Sequence, residues 1–91
     1  MLLKKKNIIR QVVQASGLPE DIVLGTPRVL LRGDRWLLIE NHQGVIEYSA
    51  EKLRIKTSLG VLGVEGAALI LSALGGEDLM LTGTIKSVSF L

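Results

Sequence analysis

The residues best suited to chemistry lie in one short stretch, ENHQGVIEY, over residues 40–48. It contains the chain's only histidine, His42, together with Glu40 and Glu47. A histidine between two carboxylates could act as a general acid or base, but nucleophilic catalysis would also need a nucleophilic side chain, and a metal site would need another suitable ligand. The stretch offers neither. Its asparagine and glycine tolerate the positive φ angles of a turn, so the sequence predicts a turn between two strands, with His42 on the surface.

A second possible site is a group of arginines, Arg28, Arg32 and Arg35, near one predicted corner of the chain. On a small β-barrel they would bind nucleic acid or another anionic ligand, which is the alternative function. Binding to single-stranded nucleic acid combines a basic groove with stacking aromatics. The chain has only three aromatic residues, and its first 17 residues hold four of the eleven bases and none of the nine acids. The remainder is therefore mildly acidic, and nucleic acid is not favoured as a partner.

The basic residues at the start of the chain belong to a predicted helix over residues 4–16. Its apolar positions recur at helical spacing, and they are Ile8, Ile9, Val12 and Val13. Gly17 suits the position that ends a helix. The positive charges are the candidate contact with an anionic membrane surface or a partner, and they are Lys4, Lys5, Lys6 and Arg10.

Length and composition limit the remaining possibilities. Ninety-one residues make one domain, and a hydrophobic share of 47% favours a folded chain. With no cysteine, neither a disulfide nor a thiolate metal site can form. No apolar run approaches the roughly 18 residues of a membrane span. No catalytic residue, metal or cofactor is predicted.

From Arg28 onward, period-two alternation and glycines replace helical spacing, which predicts strands. A pattern of 16–17 residues recurs four times, over residues 29–38, 46–55, 62–71 and 79–88. Each copy places two pairs of apolar residues around a small residue, which would form the corner between two strands. The four corner residues are Gly33, Ala50, Gly66 and Gly83. In the last copy Lys86 falls on an apolar position, where Ile85 could substitute through a β-bulge.

The repeat predicts a mainly β fold with about eight short strands, two in each copy. Residues 1–26 would form the basic helix and a hinge, and residues 27–91 the β-repeat domain. The copies could stack as a short β-solenoid, or they could be antiparallel hairpins in a roll or sandwich. The sequence leaves both arrangements open.

Several predicted strands are apolar on both faces, which indicates cover on both faces. Suppose that Trp36 and Leu38 point inward on one strand, and Leu69 and Leu71 on another. The residues that alternate with them then point outward, and these are also apolar. In so small a chain we expect the second cover to be another subunit or a partner protein. The candidate interface residues are Leu30, Leu37, Ile39, Ile70 and Met80.

The order and spacing of several segments resemble the YabP/YqfC family of sporulation proteins, most closely its YqfC branch. The resemblance covers nearly the whole chain and depends above all on ENHQGVIEY, then on GVLGVEGAALIL and the closing LTGTIKSVSFL. The resemblance implies a role in spore formation in the mother-cell cytoplasm, peripheral to the forespore membrane, without known enzymatic activity. It also implies an association with the membrane protein YqfD, and it provides no catalytic residues.

Together these features predict a non-enzymatic assembly or adaptor protein. It would act by forming a homo-oligomer or by docking on a membrane-protein partner, because unpaired strand edges promote association.

Overall fold

The computed structural model describes residues 25–91, which form a six-stranded antiparallel sheet. The strand order is β1-β2-β6-β5-β4-β3. The strands are β1 (Arg28–Arg32), β2 (Trp36–Glu40), β3 (Val45–Tyr48), β4 (Lys52–Thr57), β5 (Gly60–Leu74) and β6 (Asp78–Phe90). The prediction of a mainly β fold is confirmed, whereas the β-solenoid is wrong because every ladder is antiparallel. The predicted N-terminal helix lies outside the described residues.

The prediction of about eight short strands is also wrong, because two of the four repeat copies do not reverse the chain. The first two copies are hairpins, β1–β2 around Gly33 and β3–β4 around Ala50. The third and fourth copies each lie inside one continuous strand, β5 with 15 residues and β6 with 13. In these two copies the small residue bends the strand and does not end it.

The bend in the β5–β6 hairpin depends on close backbone approach at two glycines. A Cβ atom on Gly66 would lie 2.0 Å from the Thr84 carbonyl oxygen, and one on Gly83 would lie 2.4 Å from the Ala68 carbonyl oxygen. Gly83 also has a φ of 122°, which L-residues rarely adopt. Register shifts in the β5–β6 ladder occur in the same region. One of them follows Ile85, which is buried as predicted.

The connection between β2 and β3 requires the sheet to curl. These strands are second and sixth in the order, so a flat sheet would place them about 19 Å apart at the usual strand spacing. Only residues 41–44 join them, and the five steps from β2 to β3 span at most about 17 Å when fully extended. The connection is also not extended, because Asn41 and Gly44 have φ angles of 65° and 130°. The two strands therefore approach each other across the curl.

Hydrogen bonds from the connection link two distant parts of the sheet. The His42 N–H donates to the Glu77 carbonyl at 3.0 Å, just before β6, and the Gln43 N–H donates to the Lys56 carbonyl of β4 at 2.7 Å. The sheet nevertheless stays open, since β1 and β3 form no ladder with each other.

One face of the curled sheet forms the hydrophobic core. Along β4, Leu53, Ile55 and Thr57 are buried while Arg54 and Lys56 are exposed, as the alternation predicts. Val29, Leu71 and Val88 pack against this core. The buried hydrophobic residues are Leu37, Ile39, Leu53, Ile55, Leu62, Val64, Leu69, Leu79, Leu81 and Ile85. Within residues 25–91, no helix is long and apolar enough to cross a membrane.

Candidate protein-interaction surface

His42 is buried, so its predicted place on the surface is wrong. The residue is 5% exposed, and Nδ1 accepts a hydrogen bond from the Gly44 N–H at 3.1 Å. Nε2 has no hydrogen-bond partner in the described part of the chain. The predicted turn is present, with positive φ at both Asn41 and Gly44. The ring faces inward because the connection is hydrogen-bonded to β4 on one side and to the residue before β6 on the other.

The two carboxylates near His42 have partners of their own. Glu40 Oε1 accepts from Arg28 at 2.9 Å, across the β1–β2 ladder. Glu47 Oε1 lies 3.6 Å from Arg54 Nε on the neighbouring strand. Within residues 25–91, no group of three or more potential metal-ligating side chains occurs. His42 itself packs within the β2–β3 connection, where it is buried and bonded to the Gly44 N–H.

The three arginines of the alternative function have separate local contacts. Arg28 pairs with Glu40, and the Arg32 guanidinium lies over the Trp36 ring, 5.8 Å from its centroid. Arg35 lies in the β1–β2 turn, where its Nε is 4.0 Å from an Asp34 carboxylate oxygen and both side chains are largely exposed. The arrangement is a mixed-charge surface and does not form a basic groove.

The structure reverses the predicted faces of β2. Leu37 and Ile39, two of the candidate interface residues, are 0% exposed in the core, whereas Trp36 and Leu38 lie on the opposite face. The turn determines this, because residues 33–35 place Arg32 directly opposite Trp36. All but the last residue of WLLIE is apolar, so alternation could not reveal the inward face. A shift of one residue in the pairing of β2 with β1 would exchange the inward and outward faces of β2.

The other three candidate interface residues lie together on the outer face of the sheet. The ladders place Leu30 opposite Leu38 and Leu38 opposite Met80. Thr82 of β6 is the ladder partner of Ile70 on one side and of Trp36 on the other, so these three residues form one row across the sheet. Directly paired residues in an antiparallel ladder share a face. We call this surface the outer patch, and it consists of Leu30, Trp36, Leu38, Ile70 and Met80.

The outer patch is mainly apolar, with an ion pair beside it and a threonine hydroxyl within it. Ile70 is 58% exposed and Leu30 is 36% exposed, while the other members are half-buried. The Arg28–Glu40 ion pair lies along one side, and Thr82, whose hydroxyl is 2.8 Å from that of Ser72, lies between Trp36 and Ile70 in the ladder. An apolar centre with a polar rim is the usual composition of a protein-interaction site. Sequence reasoning missed Trp36 and Leu38, because the register of the β1–β2 hairpin is visible only in the structure.

The four basic residues predicted to contact a membrane or partner lie outside the described residues. They are Lys4, Lys5, Lys6 and Arg10.

The sheet that carries the outer patch coincides with the region that a protein-family model matches. The family model for the YabP family matches residues 25–91, which are the residues that the structure describes. The chain belongs to the YabP family. A curated relative, "Uncharacterized protein YqfC" of Bacillus subtilis (strain 168), is 26% identical over 87 residues, which is 96% of this chain and 94% of the relative. The resemblance seen in the sequence to the YabP/YqfC family is thereby confirmed, and the curled sheet is the structure of the YabP-family region in this chain.

Proposed function

We propose that this YabP-family protein is a non-enzymatic sporulation factor that works in assembly or as an adaptor by binding other proteins. The sporulation role follows from the family resemblance. The binding role is supported by the outer patch, whose apolar side chains lie outside the core on the antiparallel sheet. We further propose that it works in the mother-cell cytoplasm, next to the forespore membrane, with YqfD as a membrane-protein partner.

The outer patch is the observation that carries this proposal. Its five members come from four neighbouring strands, β1, β2, β6 and β5, so their relative positions are held by backbone ladders. The chain already has a separate core on the other face of the same strands. The patch is thus available for a partner without loss of the packing that holds the sheet together.

A charge introduced into the outer patch tests the proposal. In an endospore former that lacks its own copy, we expect Ile70→Glu or Met80→Glu to reduce the number of heat-resistant spores by at least tenfold. A carboxylate there would lose its water on binding and would have no partner in the interface. The reduction should be accompanied by loss of co-purification with tagged YqfD.

The matched control is Leu59→Glu. Leu59 is also 58% exposed, but it lies in the turn between β4 and β5, away from the patch. All three variants should keep the wild-type thermal unfolding midpoint within a few degrees. Normal sporulation of the patch variants, or an equal defect in Leu59→Glu, would contradict a function for the outer patch.

A further inference from the structure

We infer that copies of this chain bind head to tail, with β1 of one copy pairing antiparallel with β3 of the next. This inference deepens the proposed function by naming a second copy as one partner, and it uses the sheet edges, which share only Leu30 with the outer patch. β1 and β3 are the first and last strands of the sheet, and neither has an outer ladder among the described residues. Edge strands present unpaired N–H and C=O groups that can pair with another chain.

Exposed apolar side chains are concentrated on these two strands. Residues 25–91 contain ten exposed large hydrophobic residues. Half of them lie on the nine residues of β1 and β3, and they are Leu30, Leu31, Val45, Ile46 and Tyr48. Cross-strand apolar pairs stabilise antiparallel ladders, so both edges provide side chains as well as backbone groups for pairing.

The directions of the strands fit a head-to-tail contact. The sheet has six strands and every neighbouring pair is antiparallel, so β1 and β3 run in opposite directions. When the next copy continues the sheet, its β1 therefore meets β3 in the antiparallel sense. Such a contact uses two different surfaces and leaves one of each free at the ends.

Charge distinguishes this pairing from a symmetric pairing of β1 with itself. The sequence of β1 is RVLLR, with two cations and no acid, and that of β3 is VIEY, with one acid and no cation. A two-fold antiparallel pairing of β1 would place Arg28 of each copy opposite Arg32 of the other, and like charges directly opposite are destabilising. Pairing β1 with β3 brings arginines to Glu47.

The two charges are available for a contact between copies. Arg32 lies over Trp36 and forms no ion pair with another described residue. The Glu47–Arg54 pair is long, at 3.6 Å, and its side chains are 49% and 44% exposed. Exposed pairs of this kind are weak, so Glu47 can exchange its partner for Arg32 of another copy.

The curl of the sheet determines the shape of the assembly. Each copy is rotated relative to the previous one because its two edges are not coplanar. A head-to-tail contact that repeats with a constant rotation gives a closed ring or a helical filament.

Charge exchange between the two edges tests the inference. Sedimentation velocity of the full chain at low ionic strength should show species larger than a dimer. Arg32→Glu alone and Glu47→Lys alone should each reduce the assembled fraction at least fivefold. An equimolar mixture of the two variants should restore assembly, because each mixed contact then joins opposite charges. Lys56→Glu, which reverses an exposed charge on the inner strand β4, should assemble like the wild type.

Three outcomes would overturn the inference. These are a monomeric wild type at the highest soluble concentration, single variants that assemble normally, and a mixture that does not recover. Circular dichroism of each variant should match the wild type, and the substituted positions are exposed. A monomeric wild type with a sporulation defect in Ile70→Glu would refute edge pairing and leave the proposed function intact. Normal assembly of the wild type together with normal sporulation by Ile70→Glu would refute the role of the outer patch and leave edge pairing intact.

Discussion

At the scale of single residues, His42 has the clearest change of role between sequence and structure. The sequence indicates the turn correctly, but its prediction that His42 lies on the surface is wrong. The ring is buried because the backbone on both of its sides is hydrogen-bonded into the sheet. Its Nδ1 then accepts from the Gly44 N–H, so the side chain holds the conformation of the connection.

This role predicts a graded effect on stability. We expect His42→Ala to lower the free energy of unfolding by about 2–3 kcal/mol, through the cavity and the loss of a hydrogen bond. His42→Asn should recover about 1 kcal/mol, since an asparagine oxygen can accept from the N–H two residues later. Urea unfolding measures both values.

The control for this series is Gln43→Ala, because Gln43 is exposed and its backbone bond to Lys56 would remain. Sporulation by His42→Asn at a temperature where the variant is folded should be normal. A folded variant without activity would instead support a chemical role for the imidazole.

At the scale of secondary structure elements, β5 and β6 differ most from a simple hairpin. Both are long, and the sheet bends where Gly66 and Gly83 allow backbones to approach closely. These bends let the first half of β5 pair with β4 while the first half of β6 pairs with β2. The two glycines therefore connect the two parts of the sheet.

Alanine at the bend should be strongly destabilising. We expect Gly83→Ala to cost at least about 2 kcal/mol, from the positive φ and the clash with the Ala68 carbonyl. Gly76→Ala is the matched control, because a Cβ there meets nothing within 4 Å. Thermal unfolding of both variants measures the difference, and equal midpoints would show that the bend tolerates a side chain.

At the scale of the whole molecule, Tyr48 joins the edge strand β3 to the bend of β5. Its hydroxyl donates to the Leu69 carbonyl and accepts from the Leu71 N–H, each at 3.0 Å. This contact gives hydrogen-bond partners to two backbone groups of β5, in a part of the strand that pairs with β6 but no longer with β4. Together with residues 41–44, it brings the last strand of the order back against the body of the sheet.

Removing this hydroxyl should loosen the curl. Tyr48→Phe is expected to lower the free energy of unfolding by about 1–2 kcal/mol, because two backbone groups lose their partner. Faster amide hydrogen exchange at Leu71 should accompany the loss. Ser87→Ala removes an exposed hydroxyl from β6 and should change stability by no more than about 0.5 kcal/mol. Unchanged exchange at Leu71 in Tyr48→Phe would refute this role.

The sequence alone determined the strand-forming region, the turns at Gly33 and Ala50, and most of the core. Period-two alternation identified the inward positions of β4, and the inward set Leu69 and Leu71 leaves Ile70 outside, as the structure has it. Such patterns are local, because they record which side of a strand is apolar. The family was also visible in the sequence, in the order of its segments.

Only the tertiary structure decided which strands are neighbours, that two repeat copies are bent strands, and which face of β2 is inward. WLLIE is apolar on both faces, so the alternation within it is uninformative, and the register of the β1–β2 turn made the choice. For the same reason the outer patch includes Trp36 and Leu38 in place of Leu37 and Ile39. Strand order and curl depend on hydrogen bonds between residues far apart in the chain, and no local pattern encodes them.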